Sequence, residues 1–425
     1  MAAATALSFS DICYREYCDA DDAQCKALEG RAMQGSRYPM TDVVLKTFFR
    51  AGFDHLVTFD AKAKQYGEYA VHVAEVKETG TIVGVCCCIL KKVWLYGEQH
   101  TIGYVFELRV DEACQGCGIG KILTQRMEEV CAKRGATYFY LSVNEDNTKA
   151  KSLYGSRGYG VCSERKPVQN LLMAPVEEAK DVKVEKVSME EGLRLTQEAY
   201  GKSDMTPADL KQLFDSPLYE GTLVARSGSS IAGLSLWNGS YFVGFRVTRF
   251  FIPVWCWRMR AVRYALCCGL VYLGWRWTCS MHGSFLRARH QGGVFDTGMF
   301  TSKAVLSLGI SIGIAKVWKI ISFAAQKITS SDTKLRGRGF APFASGPQEE
   351  KERLLQAVIQ RAQNMSYERG YAMMLINMDG KDELRNIFGP APFTTLFMIK
   401  KVGVSKAGDA ATPFTPTNFF DPRDI

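Results

Sequence analysis

The fold of this chain is decided by the stretch Leu108-Arg-Val-Asp-Glu-Ala-Cys-Gln-Gly-Cys-Gly-Ile-Gly120, in which a strand passes through a glycine-rich loop into a helix. The preceding run, Ile102 to Val110, is mostly apolar and predicts a buried strand. After the loop, apolar residues recur at helical spacing up to about Lys133, and Gly135 is placed to end the helix. The stretch therefore predicts a strand, a tight loop and an amphipathic helix in immediate succession.

The loop is suited to bind an anion. The backbone N–H groups of residues 116 to 121 have no acceptor within the helix and converge on one point. Attraction to a helix N-terminus contributes about 0.3–2 kcal/mol, and each hydrogen bond to a charged acceptor contributes about 1.5–3 kcal/mol. Gly118 and Gly120 carry no side chain that would keep a phosphate away from these amides. Together these groups predict a pyrophosphate site.

Other phosphate and metal motifs fit the loop poorly. A dinucleotide site needs its glycines after the first strand of a parallel unit, whereas this loop follows a hairpin. A Walker loop requires Ser or Thr after Gly-Lys, and here Gly120-Lys121 is followed by Ile122. Cys114 and Cys117 form a C-x-x-C pair, but no second pair stands at zinc-ribbon spacing. The sequence therefore predicts no metal site.

The surrounding residues predict a mixed α/β fold. A strand over Ile12 to Cys18 precedes a helix that starts near Asp21. Two strands, Val71 to Val76 and Thr81 to Val93, are separated by a Glu-Thr-Gly turn and form an antiparallel hairpin. After the helix that follows the loop, we expect a strand at Tyr138 to Val143 and a short helix at Asn147 to Arg157.

Two motifs resemble the signatures of the Gcn5-related N-acetyltransferase (GNAT) superfamily. The first is the stretch from Leu108 to Gly120, in which Gln115-x-x-Gly-x-Gly matches the acetyl-CoA loop. The second is Asn147-Thr-Lys-Ala-Lys-Ser-Leu-Tyr-Gly-Ser-Arg-Gly-Tyr159, which follows at the spacing of that superfamily's second signature. Many relatives carry an arginine or lysine inside the loop, where this chain has Gly116 and Cys117, and Lys121 is the nearest substitute.

The resemblance implies an acyl-CoA N-acyltransferase fold, an α/β fold with a mixed α+β sheet, and acetyl-CoA as co-substrate without a metal. It implies that the backbone of Leu108, Arg109 and Val110 pairs with the pantetheine arm and that Asn147 binds the cofactor. It also implies that Tyr154 lies beside the sulfur. The pyrophosphate would be held by the loop residues Gln115, Gly116, Cys117, Gly118, Ile119 and Gly120, with Lys121 nearby.

Two side chains are candidates for acid–base chemistry. Glu107 lies in an otherwise apolar strand and could accept the amine proton, directly or through water. The alternative is a structural ion pair with Arg109 on the same strand face. Tyr154 is a phenol suited to protonate the departing thiolate, and the alternative is helix packing.

The second half of the chain repeats this order in weaker form. After a charged linker near Val176 to Lys186, we expect strands, a helix over Gln348 to Arg369 and a closing strand over Thr394 to Lys401. The loop before that long helix lacks the Gln-x-x-Gly-x-Gly pattern. We therefore predict a catalytic GNAT domain over 1–175 and a second, degenerate GNAT-like domain over 176–425. Together with Tyr14-Arg-Glu-Tyr17, the loop motif, Leu234-Ser-Leu-Trp-Asn238 and the closing glycine-rich, helix and strand run, this tandem plan resembles the plant Hookless-type N-acetyltransferases.

An insertion at about 242–326 interrupts the second half. Tryptophans and arginines alternate there beside apolar runs of only about 12 to 14 residues, shorter than the roughly 20 that a transmembrane helix needs. Two interpretations stay open: a membrane-surface segment over 250–325 and an internal helical hairpin.

Composition limits the function classes. At 425 residues the chain exceeds one ordinary core and predicts two domains. The net charge of +9 favours an anionic partner, but no nucleic-acid-binding module is recognisable. The 14 cysteines fall in apolar runs and the start has no basic leader, which together predict a protein of the cytoplasm or nucleus.

The sequence therefore predicts an N-acetyltransferase that transfers the acetyl group of acetyl-CoA to an amine by direct attack in a ternary complex. The acceptor stays open among a protein lysine, a protein N-terminus and a small amine. The alternative is a catalytically weak acetyl-CoA-binding regulator or scaffold, since the base is uncertain and the loop lacks its arginine.

Overall fold

The computed structural model describes residues 11–34, 52–55, 59–166, 168–172, 175–239, 244–249, 334–371, 373–376, 378–388, 394–403, 412–414, 418–419 and 421. The predicted insertion at about 242–326 lies outside these residues except for 244–249, so both interpretations of it stay predictions. No helix among the described residues is long and apolar enough to span a membrane.

Strands and helices alternate along the chain much as the sequence predicts. The strands are β1 (Ile12–Glu16), β2 (Gly52–His55), β3 (Tyr69–Val76), β4 (Thr81–Leu95), β5 (Glu98–Val110), β6 (Tyr138–Asn144), β7 (Gly160–Arg165), β8 (Val168–Leu171), β9 (Val184–Val187), β10 (Tyr219–Ser227), β11 (Ser230–Asn238), β12 (Gly244–Arg249), β13 (Lys334–Ser345), β14 (Met373–Ile376) and β15 (Thr395–Lys401). The helices are α1 (Asp22–Gln34), α2 (Phe59–Lys64), α3 (Ile119–Lys133), α4 (Thr148–Ser156), α5 (Met189–Tyr200), α6 (Leu210–Phe214) and α7 (Gln348–Glu368).

The first sheet has seven strands in the order β1-β3-β4-β5-β6-β15-β7. Its pairs are antiparallel except for β5 and β6, which are parallel. Alternate residues of β4 enter opposite faces: Cys86 and Cys88 belong to the core beneath α3, and Cys87 belongs to the core beneath α1 and α2. A strand segment covered on both faces is apolar throughout, which explains the continuous apolar run from Ile82 to Leu90 in β4.

The second sheet follows the order β2-β12-β13-β11-β10-β9, with β14 paired to β13 and β8 paired to β14. The helix α7 covers it, and Leu354, Val358 and Ala362 lie in the same core as Leu234 of β11. The parallel pair β13–β14 and the helix α7 correspond in order to β5, β6 and α3 of the first sheet. The chain therefore has a mixed α/β fold with a second half built on the same plan.

The two halves exchange strands. The strand β15 comes from the end of the chain but lies in the first sheet between β6 and β7. In return, β8 follows the first half directly and pairs with β14 of the second sheet. The sequence correctly predicted a strand near Thr394 to Lys401 but assigned it to the second half, because periodicity identifies a strand without identifying its partner. The boundary at residue 175 stays a prediction. One strand from before it, β8, lies in the second sheet, and one strand from after it, β15, lies in the first.

A buried charge cluster ties the exchanged strand to α3. The carboxylate of Glu128 on α3 accepts hydrogen bonds from Lys400 Nζ of β15 at 2.7 Å and from Arg157 Nη2 at 2.6 Å. The hydroxyl of Tyr159 donates to the same carboxylate at 3.1 Å. Glu128 is the shared partner of both buried cations, so the cluster ties α3 to β15 and to the residues that follow α4.

Candidate acyl-CoA site

The strands β5 and β6 part at one edge of the first sheet. They pair only where Ile102–Tyr104 of β5 meets Tyr138–Tyr140 of β6. Beyond this point, β6 pairs with β15 on its other side, and β5 continues to Val110 beside β4. The gap lies at the carboxyl ends of two neighbouring parallel strands, which is where open α/β sheets bind ligands.

A β-bulge bends β5 where the two strands separate. The register between β4 and β5 shifts between Val85 and Cys87, whose partners are Arg109 and Phe106. Glu107 lies inside the bulge with φ of +53°, a left-handed backbone conformation that is uncommon for a residue other than glycine. Bulges of this kind redirect side chains and occur beside active sites.

The side chain of Glu107 is held by two cations. Its Oε1 lies 2.7 Å from Lys62 Nζ, its Oε2 lies 2.7 Å from Arg109 Nη2, and its side chain is 13% exposed. The ion pair with Arg109 that the sequence offered as the structural alternative is therefore present, and the role of Glu107 as a base stays a prediction. Sequence reasoning missed Lys62, although its helical spacing from Phe59 was a usable signal of a buried lysine.

The loop after β5 exposes backbone amides at the start of α3. A 3-10 turn over Glu112–Cys114 is capped by the side chain of Asp111, and Gly116 and Gly118 follow with φ of +86° and +79°. The first hydrogen bond of the helix runs from the N–H of Ile122 to the carbonyl of Gly118 at 3.1 Å. The amides of residues 118 to 121 precede that bond and are free of helical acceptors, so they can bind an anion.

Two lysines contribute positive charge around this loop. Lys121 is exposed in the first turn of α3. Lys149, in the first turn of α4, donates to the side-chain oxygen of Gln115 at 3.2 Å, and the amide nitrogen of Gln115 lies 3.4 Å from the carbonyl oxygen of Val110. Lys149 therefore supplies a cation beside the loop, which the sequence analysis did not identify because α4 is remote from the loop in sequence.

Close packing fixes the helix behind the loop. A Cβ on Gly84 of β4 would lie 2.9 Å from Leu123 and 3.0 Å from Ile119, so only glycine lets α3 approach β4 this closely. At Gly120 a Cβ would lie 3.6 Å from each of the side chains of Leu108, Val110 and Leu153, which is ordinary contact distance. The predicted loop and strand residues are thus brought together around Gly120.

The second signature supplies a helix cap and a buried phenol. Asn147 caps α4, and its Oδ1 accepts a hydrogen bond from the N–H of Ala150 at 3.1 Å. Tyr154 lies in the core beneath α3, with its ring 5.8 Å from that of Tyr159 in an edge-to-face arrangement. Burial raises the pKa of Tyr154 well above its usual value, and the neighbouring Cys86 raises it further. Tyr154 is therefore a neutral hydrogen-bond donor at physiological pH.

The described residues contain no group of three His, Cys, Asp or Glu side chains that could hold a metal ion. Cys114 is buried in the core beneath α3, and the half-buried Cys117 packs against the same core. The C-x-x-C pair is therefore part of the loop and its packing.

Comparison with known proteins agrees with this geometry. Residues 40–159 match the model of the acetyltransferase (GNAT) family. A mycothiol acetyltransferase of Jonesia denitrificans is 35% identical over 88 residues, which cover 20% of this chain and 26% of the relative. A mycothiol acetyltransferase of Beutenbergia cavernae is 34% identical over 71 residues, covering 17% and 24%. The chain thus spans about a quarter of the length of these relatives.

Solved structures show the same fold at low sequence identity. Saccharomyces cerevisiae N-myristoyltransferase with bound myristoyl-CoA and inhibitors has a TM-score of 0.51 at 10% identity, covering 99% of this chain and 86% of that one. A GCN5-related N-acetyltransferase from Sphaerobacter thermophilus has a TM-score of 0.50 at 11% identity, covering 94% and 100%. The chain therefore has the GNAT acyltransferase fold, and the match to the GNAT family model covers residues 40–159 of its 425 residues.

Proposed function

We propose that this chain is an N-acetyltransferase that binds acetyl-CoA at the gap between β5 and β6 and transfers the acetyl group to an amine. The observation that carries the proposal is the location of two features at one edge of the sheet. The strands part beyond Tyr104, and the amides of residues 118 to 121 stand at the start of α3 beside that gap. The gap between the strands suits the extended, amide-bearing pantetheine arm, and the free amides suit a pyrophosphate.

In this proposal the backbone of residues 108 to 110 pairs with the pantetheine arm. The amides of the loop hold the pyrophosphate, and Lys121 and Lys149 add positive charge. The side chains of Leu108, Val110 and Leu153 form an apolar contact around Gly120, which keeps this part of the loop close to β5. Asn147 contributes by fixing the start of α4, from which Lys149 reaches the loop.

Starting from the ammonium form, the acceptor nitrogen loses two protons as it becomes an amide, and the leaving thiolate gains one. The first proton leaves to a base before attack, and the second leaves after attack and replaces the proton given to the thiolate. Removing the proton from an ammonium with a pKa of about 10.4 costs roughly 4–5 kcal/mol at pH 7, so a base that accepts this proton favours the reaction. Glu107 is the candidate base, acting through a water molecule, while Lys62 and Arg109 hold its carboxylate in place. The amine nitrogen attacks the thioester carbonyl carbon, the C–S bond breaks, and Tyr154 donates a proton or a hydrogen bond to the leaving thiolate.

One observation favours the alternative of an acetyl-CoA-binding regulator. Both carboxylate oxygens of Glu107 are ion-paired, which is also what a purely structural pair would show. Both functions predict binding of acetyl-CoA, but only the enzyme predicts turnover.

Two measurements on the full chain separate these functions. Isothermal titration with CoA and acetyl-CoA tests binding, and release of free CoA thiol over a panel of amines tests turnover. Saturable binding with thiol release on at least one amine supports the enzyme. Saturable binding without release across the panel supports the regulator, and absence of binding at millimolar ligand contradicts both.

The acceptor panel follows from the open alternatives. It contains a lysine peptide, a peptide with a free N-terminus, free amino acids and small amines, including the acceptor amine of the mycothiol acetyltransferases that this chain resembles. The narrower likeness to plant Hookless-type proteins rests on motifs alone and stays a proposal. A location in the cytoplasm or nucleus is likewise a proposal, as is membrane-surface contact through residues 250–325.

A further inference from the structure

The loop proposed to hold the pyrophosphate carries two thiols that the proposed transfer does not use. Cys114 ends the 3-10 turn before the loop, and Cys117 directly precedes Gly118, the N-cap of α3. Both are free cysteines, Cys114 buried at 4% exposure and Cys117 half-buried. Neither belongs to a metal cluster among the described residues.

The backbone brings the two cysteines within disulfide range. The N–H of Cys117 donates to the carbonyl of Cys114 at 3.4 Å, which closes a turn between them. The Cα atoms at the ends of such a turn lie within about 7 Å of each other, and a disulfide spans about 4.4–6.8 Å between Cα atoms. Both side chains pack against the core beneath α3, so they lie on the same side of the loop.

Gly116, one of the two residues between the cysteines, allows the small adjustment that a disulfide needs. Gly116 has φ of +86°, and a Cβ built there would meet nothing within 4 Å. A glycine in open space can change its backbone dihedrals with little steric resistance. The turn can therefore tighten without disturbing the packing of Ile119, which anchors α3 to β4.

We propose that Cys114 and Cys117 are an oxidisable pair whose disulfide closes the cofactor loop. A peroxide is the oxidant. The sulfur of Cys117 attacks one peroxide oxygen, the O–O bond breaks, and Cys117 becomes a sulfenic acid with release of one water. The sulfur of Cys114 then attacks that of Cys117, the S–O bond breaks, and a second water leaves. Two thiols and one hydrogen peroxide thus give one disulfide and two waters.

The difference in solvent exposure between the two thiols sets which one is oxidised first. Cys117 is the thiol that solvent reaches, and Cys114 lies beneath it. Burial raises the pKa of the Cys114 thiol, which makes it the poorer first nucleophile and leaves it the resolving role.

Closure changes the ligand-binding amides because the disulfide ring contains Gly116 and ends at the residue before Gly118. Tightening that ring redirects the amide of Gly118, the first of the amides that the proposed function assigns to the pyrophosphate. Conversely, bound CoA covers the loop and should slow the oxidation. The effect on binding rests on the proposed function, whereas the formation of the disulfide does not.

The experiment compares reduced and peroxide-treated full-length protein. Tryptic cleavage after Arg109 and Lys121 places both cysteines in one peptide, Val110 to Lys121. After alkylation without reduction, we expect this peptide to lack both alkyl groups and to be lighter than the reduced peptide by two hydrogen atoms. We expect CoA affinity to fall about tenfold or more, since loss of one charged hydrogen bond already gives that factor. Dithiothreitol should restore the affinity for CoA, and CoA bound during the peroxide treatment should slow its loss.

Three variants serve as controls. Cys117→Ser should keep its CoA affinity through peroxide treatment, and Cys114→Ser should form no disulfide and leave Cys117 as a sulfenic acid that a dimedone probe labels. Cys18→Ser, which removes an exposed cysteine outside the loop, should lose affinity like the wild type. The proposal is overturned if both thiols of the tryptic peptide remain alkylatable, or if the disulfide forms and CoA affinity is unchanged. It is also overturned if Cys117→Ser still loses affinity. If reduced protein binds no CoA while the disulfide forms, the pair stands as a modification site and the proposed function fails.

Discussion

In the first half, β5 leads through Gly116 and Gly118 into α3, and in the second half β13 leads through Gly346 into α7. The amides at the start of α3 have no acidic neighbour in the first turn of the helix. By contrast, α7 is capped by Pro347, which has no N–H, and carries Glu349 and Glu350 in its first turn. The same topology therefore gives one helix start whose charges favour an anion and another whose charges repel one.

The strands before the two helices also differ. In β5 the bulge at Glu107 shifts the register, whereas β13 pairs with β11 from Arg338 to Ser345 in one uninterrupted register. Gly346 is also enclosed, since a Cβ there would lie 2.4 Å from Ser230 Oγ. The two halves therefore share their strand order and differ in the bulge, the open glycine loop and the charges at the helix start.

The largest expected effect concerns the bulge. Glu107→Gln keeps the size of the side chain and removes its charge, so a lost general base should lower turnover about 10²- to 10⁴-fold. Affinity for acetyl-CoA should change by less than about threefold, because the proposal assigns the cofactor to the strand backbone and the loop amides and not to this carboxylate. Steady-state thiol release and titration measure the two quantities.

The control is Glu349→Gln, which removes a carboxylate at the start of α7 in the second half and should leave turnover unchanged. A loss of less than threefold for Glu107→Gln would show that Glu107 serves only as the ion-pair partner of Lys62 and Arg109.

The next effect concerns the open glycine loop. Gly118→Val should weaken CoA binding about 100-fold, because a branched side chain at φ of +79° strains the loop and covers amides that each contribute about 1.5–3 kcal/mol to a charged ligand. Gly135→Val, at the other end of α3, is the matched control: its φ is +89° and a Cβ there meets nothing within 4 Å. Both variants should lose thermal stability, and only Gly118→Val should lose affinity in titration. Equal affinities would remove the loop from the site.

A smaller effect is expected at Tyr154, which has no tyrosine counterpart in the Glu383–Phe388 turn after β14 of the second half. Tyr154→Phe should lower turnover about 10- to 100-fold, because the leaving thiolate loses its proton donor. Affinity for acetyl-CoA should stay within about threefold of the wild type. The control Tyr159→Phe removes a hydrogen bond to Glu128 and should lower the melting temperature without changing turnover per folded molecule. If Tyr154→Phe behaves like Tyr159→Phe, Tyr154 is a packing residue.

The comparison also shows what the sequence could and could not predict. The helix α3 ends at Lys133, and Gly135 follows with positive φ, as predicted, because local spacing and a C-terminal glycine define a helix end. The exchange of β15 was not predictable from periodicity, since its apolar residues fit either sheet. Lys62 and Lys149 reach Glu107 and Gln115 across 45 and 34 residues of chain. Such contacts depend on tertiary packing, which one sequence without its fold does not reveal.

The smallest effect is expected from Lys121→Glu, which tests the charge difference between the starts of α3 and α7. Lys121→Glu gives α3 an acid in its first turn, as Glu349 and Glu350 do in α7. A charge near a helix N-terminus contributes about 0.3–2 kcal/mol, so CoA affinity should fall about 2- to 30-fold, and by less at high salt. Lys133→Glu reverses a charge in the last turn of the same helix and should leave affinity unchanged. If both reversals weaken binding equally, the net charge of the protein attracts the cofactor and the start of α3 contributes no specific attraction.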